Sequence, residues 1–200
     1  GKSFFDIRKR KGFTEFESVQ IMRERNYFGA MMVNEGDADT MITGLTKNYR
    51  STLKPILQTI GLKEGVNVAA GMYILITKKG PMFLADTTVN RDPNAEEIAE
   101  ITMNVAKTIK KMRVTPIISL LSYSNFGSSP GKDPQKMAKA ISILHDKSPE
   151  LIVDGEMQAN FALNKELLNE KFPFSNLVNK QANTLIFPNL SSGNISYKLM

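Results

Sequence analysis

The texture of apolar and polar positions changes once along this chain, near Gly61 to Gly65. Ahead of that point, Thr14 with Glu17 carries the signature of a capping box at the head of "TEFESVQIMRER", which predicts a helix. "YFGAMMV" follows as an apolar run that predicts a short buried strand, and "NEGDAD" reads as a turn. "MITGLTKNYRSTLKPILQTIG" runs through a polar loop into a helix closed by Gly61. Beyond the change, "VNVAAGMYILI" and "PMFLADTTV" are apolar strands joined across "TKKG", a hairpin signal. Asp92-Pro93 and Asp133-Pro134 each offer a capping acid followed by proline in the first turn of a helix. The first of these helices carries Ile98, Ile101, Val105, Ile109 and Met112 on one stripe; the second carries Met137, Ile141 and Leu144. The continuous apolar runs "VTPIISLLSYS", "LIVDGEM" and "NTLIF" predict strands covered on both faces. Strands alternating with helices predict an α/β sheet flanked by helices, without internal repeats.

Composition narrows what such a chain can do. Two hundred residues with 42% hydrophobic content can bury a real core, enough for one domain or one and a half. The absence of cysteine excludes a disulfide framework and thiolate chemistry, and suits a cytoplasmic location. No apolar run predicts a signal peptide or a membrane span. Both ends read as cut points: "GKSFFDIRKRKG" opens mid-pattern, and "GNISYKLM" stops inside an expected helix. The formal charge of +6 is densest at Arg8, Lys9, Arg10 and Lys11. Such a run is as readily a solvated face as an anion site. Nucleic acid fits poorly, because no tryptophan is present and no stacking aromatics interleave the cluster.

Candidate chemistry is sparse. His145 is the only histidine, so a zinc site or a Ser-His-Asp triad has almost no material. Asp154 and Glu156 in "VDGEMQ" share a face by spacing and could form an acid/base pair, but local sequence favours an ordinary Asp-Gly turn. The loop "SYSNFGSSPGKDP", Ser122 to Pro134, leaves the end of a buried strand and leads into a helix. In open α/β sheets that is where phosphate-bearing ligands bind, although the same composition suits a mobile surface loop. It is not a P-loop: Gly127 to Gly131 is one residue short, and Asp133 stands where a serine or threonine would be needed. "TGLTKNYRSTLK" is a second polar loop, with Arg50 and Lys54 available to an anion.

At these loops the chain resembles a known family. "RKRKGFTEFE", "RNYFGAMMV", "DADTMITG", "FLADTTVNRDPNAEEIAEI", "LLSYSNFGSS", "DGEMQANFALN" and "LIFPNLSSGNISYKL" occur in the order of the phosphate acetyl/butyryltransferases. "MITGLTKNYRSTLKP" and "YSNFGSS" are most similar to the C-terminal transferase-like domain of bacterial NADP-dependent malic enzymes. Lys54 stands where stand-alone transferases carry arginine in "TTADTIRP". The resemblance implies a two-domain α/β fold of the isocitrate/isopropylmalate dehydrogenase-like kind, present here as a fragment. It places residues 1–61 in part of a discontinuous first α/β domain and 62–200 in the second. It implies a cleft between domains for acetyl-CoA or coenzyme A, with Arg8, Thr43, Gly44, Lys54, Ser122, Ser124 and Ser128 as the ligand-binding residues.

The family's catalytic residues lie in and after "NDLSRG", which this sequence does not contain, so no catalytic residue is carried over and no acyl transfer is expected of this chain alone. In the malic-enzyme branch, NADP and a divalent metal belong to a separate N-terminal portion that converts malate to pyruvate and CO2. The resemblance then implies a regulatory and assembly domain, self-associating as a homodimer or higher oligomer, with neither a membrane nor nucleic acid as partner. The alternatives are a fragment of an active phosphate acyltransferase and a purely structural module.

Overall fold

No strand forms before Met72. The computed structural model describes residues 1–200, and the chain divides into two units, Gly1–Gly65 and Val66–Met200. The first unit holds α1 (Lys2–Arg8), a 3-10 turn (Lys9–Lys11), α2 (Glu15–Ile21), α3 (Arg25–Glu35) and α4 (Tyr49–Thr59). The capping box forms as expected: Glu17 N donates to the Thr14 hydroxyl at 3.2 Å, and Thr14 N to the Glu17 carboxylate at 2.9 Å. That contact holds the Glu17 carboxyl below its ordinary value. "YFGAMMV" is not a strand but the body of α3. Tyr27, Ala30 and Met31 are buried at helical spacing, and Gly36, at φ 81°, ends the helix. Phe4 is wholly buried, with Phe13 and Tyr27 edge-to-face on it at 5.2 and 5.6 Å. Each such pair adds about 0.5–1.5 kcal/mol beyond its buried area, and this cluster selects helix over strand.

The second unit holds a five-stranded sheet in the order β1-β2-β5-β3-β4. Its strands are β1 (Met72–Thr77), β2 (Gly80–Ala85), β3 (Ile117–Leu121), β4 (Ile152–Met157) and β5 (Thr184–Ile186). The hairpin signal is borne out by antiparallel β1 and β2, with Thr77 opposite Gly80. The remaining neighbours are parallel, with Phe83 and Ile118 both opposite Thr184. The helices are α5 (Ala95–Lys111), α6 (Lys132–Lys147), α7 (Ala159–Leu163), α8 (Lys165–Lys171) and α9 (Leu190–Leu199). The fold is therefore mixed α/β.

Alternation along the strands sends side chains into two cores. Phe83, Ala85, Ile118, Leu120, Val153 and Ile186 meet α5 and α6 on one face. Leu84, Leu121, Met157 and Leu185 meet α7, α8 and α9 on the other. The α5 stripe is buried through Ile98, Ile101, Val105 and Ile109, each contributing about 1.5–3 kcal/mol. Met112, expected on that stripe, ends the helix and is exposed. Neither Asp-Pro acid is a cap. Asn94 caps α5 in a capping box with Glu97, while Asp92 pairs with Lys136 at 2.5 Å, which lowers its pKa. Helix α6 starts at Lys132, so Asp133 and Pro134 lie inside its first turn.

The two edges of the sheet differ. On β4, Phe126 N donates to the Glu156 carbonyl at 2.8 Å and His145 Nε2 to the Val153 carbonyl at 3.2 Å. On β1, Ile74 and Ile76 are exposed and no strand pairs with the outer edge, although Tyr73 stacks on Tyr197 of α9 at 3.9 Å. No helix is long and apolar enough to cross a membrane.

Candidate functional site

Neighbouring parallel strands β3 and β5 send the chain to opposite faces of the sheet. From β3 it passes through Ser122–Gly131 to α6; from β5 it passes through Phe187–Asn189 to α9. Such a divergence opens a crevice at the carboxyl ends of the strands, the usual ligand position in open α/β sheets. A crevice of about 290 Å³ lies there, lined by Ser122, Tyr123, Asp133, Asn189, Ser192 and Ser196 among others. Asn189 fixes its geometry. Its Oδ1 accepts from Ser192 N at 3.0 Å, and its Nδ2 donates to the Asp133 carboxylate at 3.2 Å.

Helix α9, which contributes Ser192 and Ser196 to the crevice, is held from the turn after β2. Asp86 is buried, and its carboxylate accepts from the backbone N–H groups of Gly71, Thr88, Val89 and Asn90 at 2.8–3.1 Å. Asn194 of α9 donates to the Thr87 carbonyl at 3.2 Å, tying the helix to that turn. Gly193 faces the Asp86 carbonyl, where a Cβ would have no room.

The Ser122–Gly131 loop is braced from within. Ser129 N donates to the Ser124 hydroxyl at 3.0 Å, Asn125 N to the Ser128 hydroxyl at 2.9 Å, and Ser124 N to the Ser122 hydroxyl at 3.2 Å. Ser124 is wholly buried, so its hydroxyl shapes the loop; Ser128 is exposed, and Ser122 faces the crevice. The expected turn at Asp154-Gly155 lies inside β4, and its two acids hold loops instead. Asp154 accepts from the Ser175 hydroxyl and Asn176 N, both at 2.7 Å, and Glu156 from Gly127 N at 2.7 Å. Carboxylates anchored by loop N–H groups are scaffold, which explains why they sit buried in a strand.

The first unit carries its own pocket, of about 660 Å³, which includes Thr43 and Gly44. The Thr43 hydroxyl donates to buried Asn26 Oδ1 at 2.9 Å, and Gly44 has φ 119°, a conformation glycine tolerates. Arg8 and Lys54 are not in this pocket. Arg8 ends α1 with its guanidinium 6.0 Å from the Phe13 ring centroid and its buried Nε unpartnered. Lys54 is exposed on α4 without an ion pair.

The model of the family described as phosphate acetyl/butaryl transferase matches residues 1–200. The chain belongs to this family. Among its relatives, the NADP-dependent malic enzyme of Escherichia coli is 38% identical over 198 residues, covering 98% of this chain and 26% of that protein. The phosphate acetyltransferase of Clostridium acetobutylicum is 34% identical over 206 residues, covering all of this chain and 62% of that protein. A solved phosphotransacetylase from Streptococcus pyogenes superposes with a TM-score of 0.89 at 37% identity, over 98% of this chain and 60% of that one. The chain thus spans about a quarter of the malic enzymes and about three-fifths of the shorter transferases it matches.

For this member of the phosphate acetyl/butaryl transferase family, sequence reasoning missed Asn189, Ser192 and Ser196. Their signal was a capping asparagine three residues ahead of Ser192, directly after the apolar "TLIFP". Only the strand order shows that this helix start faces the end of β3.

Proposed function

We propose that this chain is the regulatory, transferase-like domain of an NADP-dependent malic enzyme and binds acetyl-CoA or a related acyl-CoA. The observation that carries this reading is the hydroxyl- and amide-lined crevice at the diverging ends of β3 and β5. Similarity to malic enzymes along almost the whole chain supports it. Ser122 and Ser192 offer polar contacts to a phosphorylated or carbonyl-bearing ligand, and Arg8 and Lys54 offer charge. NADP, a divalent metal and the decarboxylation of malate to pyruvate and CO2 would belong to chain outside this sequence. Acetyl-CoA would act by binding two conformations of the parent unequally, since an effector shifts an equilibrium only through differential affinity. Self-association would give that shift a symmetric assembly to act on.

The test is calorimetric titration with acetyl-CoA, followed by malate kinetics on the parent with and without it. Arg8→Ala and Lys54→Ala should each weaken binding at least about tenfold, which is ~1.4 kcal/mol. They should also blunt the acetyl-CoA response while leaving effector-free malate turnover intact. Unchanged acetyl-CoA affinity and response in both variants would remove these residues from the site. The likeness to a solved phosphotransacetylase supports a second reading, a portion of an acyltransferase. A parent that forms acetyl-CoA from acetyl phosphate and coenzyme A, and does not oxidise malate, would establish it.

A further inference from the structure

We propose that Tyr123 is the specificity-determining residue of the crevice, a gate whose ring admits only a small group where it stands and an elongated ligand when it swings aside. Tyr123 and Asp133 line two spaces at once. On one side is the crevice of about 290 Å³ at the ends of β3 and β5. On the other is an outer cavity of about 620 Å³ between the starts of α5 and α6, lined by Asp92, Asn94, Lys132, Gln135 and Lys136 among others. A site for a drug-sized ligand measures ~300–1,000 Å³, so the crevice alone suits a small group and the two spaces joined suit a long one. No cation lines the crevice, whereas the outer cavity presents Lys132 and Lys136. A ligand with a small neutral end and a polar body matches that gradient. An acyl-CoA has this form, and the choice of ligand rests on the acyl-CoA reading above.

The partition is a side chain and not a moving loop. Its backbone is fixed, because Ser122 N donates to the Met157 carbonyl at 2.9 Å and Gln158 Nε2 to the Tyr123 carbonyl at 2.7 Å. The Tyr123 side chain is 56% exposed and is latched by one hydrogen bond, from its hydroxyl to the Pro130 carbonyl at 3.1 Å. Gly131 makes room for that hydroxyl, since a Cβ there would collide with it. The other shared residue, Asp133, has its carboxylate held from both spaces, by Asn189 Nδ2 at 3.2 Å and by Lys136 Nζ at 3.2 Å. Turning the ring breaks neither contact, so opening the gate joins the spaces without dismantling either. A closed ring then lowers the apparent affinity for a long ligand according to the fraction of molecules in which it stands open.

The experiment titrates acetyl-CoA, and S-acetyl-N-acetylcysteamine as its thioester end alone, into the chain and its Y123F and Y123A variants by calorimetry. Y123F keeps the ring and removes the latch. Its acetyl-CoA affinity should rise roughly two- to tenfold, the factor that one net hydrogen bond represents. Y123A removes the partition and should also bind acetyl-CoA more tightly than the unaltered chain. The small thioester should show no gain in either variant. Unchanged or weaker acetyl-CoA binding by Y123F, or an equal gain for the small thioester, overturns the gate. If Y123A fails to fold, Y123F decides by the same comparison. Acetyl-CoA bound with equal affinity by every protein refutes the gate and keeps the acyl-CoA reading. Acetyl-CoA bound by none of them refutes that reading and the gate with it.

Discussion

Replacing Asp86 by alanine tests how the turn that holds α9 is built. The carboxylate accepts four backbone N–H groups, from Gly71, Thr88, Val89 and Asn90, and in addition the Asn90 side-chain amide at 2.5 Å. It is 3% exposed, so most of these donors would be left without water as well as without an acceptor. Hydrogen bonds to a charged group are worth about 1.5–3 kcal/mol each, and a stranded buried donor costs about 1–3 kcal/mol. Part of the turn can open to solvent, so the expected loss is about 3–5 kcal/mol rather than the full sum. For a chain of this size that lowers the melting temperature by roughly 10 °C. Asp86→Asn keeps one acceptor oxygen and turns a donor towards Asn90, so it should fall between the two. The assay is urea unfolding followed by circular dichroism, with the slope compared across variants. A loss below about 1 kcal/mol in Asp86→Ala would refute the reasoning, because it would mean the loop N–H groups find other partners.

Further outcomes follow from the same geometry. Gly193→Ala should destabilise by about 1–3 kcal/mol, because the new methyl meets the Asp86 carbonyl; a neutral effect in thermal melts would show that α9 can shift. Ser124→Ala and Ser122→Ala should each cost about 1 kcal/mol, through Ser129 N and Ser124 N respectively, but only Ser122→Ala should also weaken acyl-CoA binding. Melts and titrations on the pair would read these effects separately. Glu100 accepts from Asn67 N and Val68 N, and its carboxyl is held below its ordinary 4.5, chiefly by the Asn67 backbone contact. Its stabilisation is therefore fully present above pH 4.5 and is lost as pH falls through the lowered folded value. Melting temperatures in that window should fall less steeply for Glu100→Gln, and parallel curves would contradict the assignment.

Much of the second unit was legible because its periods are clean. Ile98, Ile101, Val105 and Ile109 repeat at helical spacing, and "IISLL" is apolar at nearly every position because both faces of β3 are covered. "YFGAMMV" was misread because an apolar run hides its own period; Phe4 and Phe13, distant in sequence, decide that Tyr27 belongs to a helix. Asp92 and Asp133 look like caps locally, but Lys136 draws both, at 2.5 and 3.2 Å, and Asn94 has its Glu97 partner in place. Ser122 lies in a loop that the sequence singles out, whereas Asn189, Ser192 and Ser196 depend on which strand lies beside β3, and no local pattern carries that.

The difference between the two sheet edges limits how this protein can go wrong. A filament built by strand addition needs two receptive sides on every unit, one to join and one to be joined. Here two carbonyls of β4 are occupied, Val153's by His145 and Glu156's by Phe126, whereas β1 is an edge strand on which Ile74 and Ile76 are exposed. Two chains that met along β1 would leave a third only β4, an edge whose acceptors are partly taken. Growth by this route would compete with the Ser122–Gly131 loop for the Glu156 carbonyl, so the loop that shapes the ligand crevice also restricts strand addition at that end of β4.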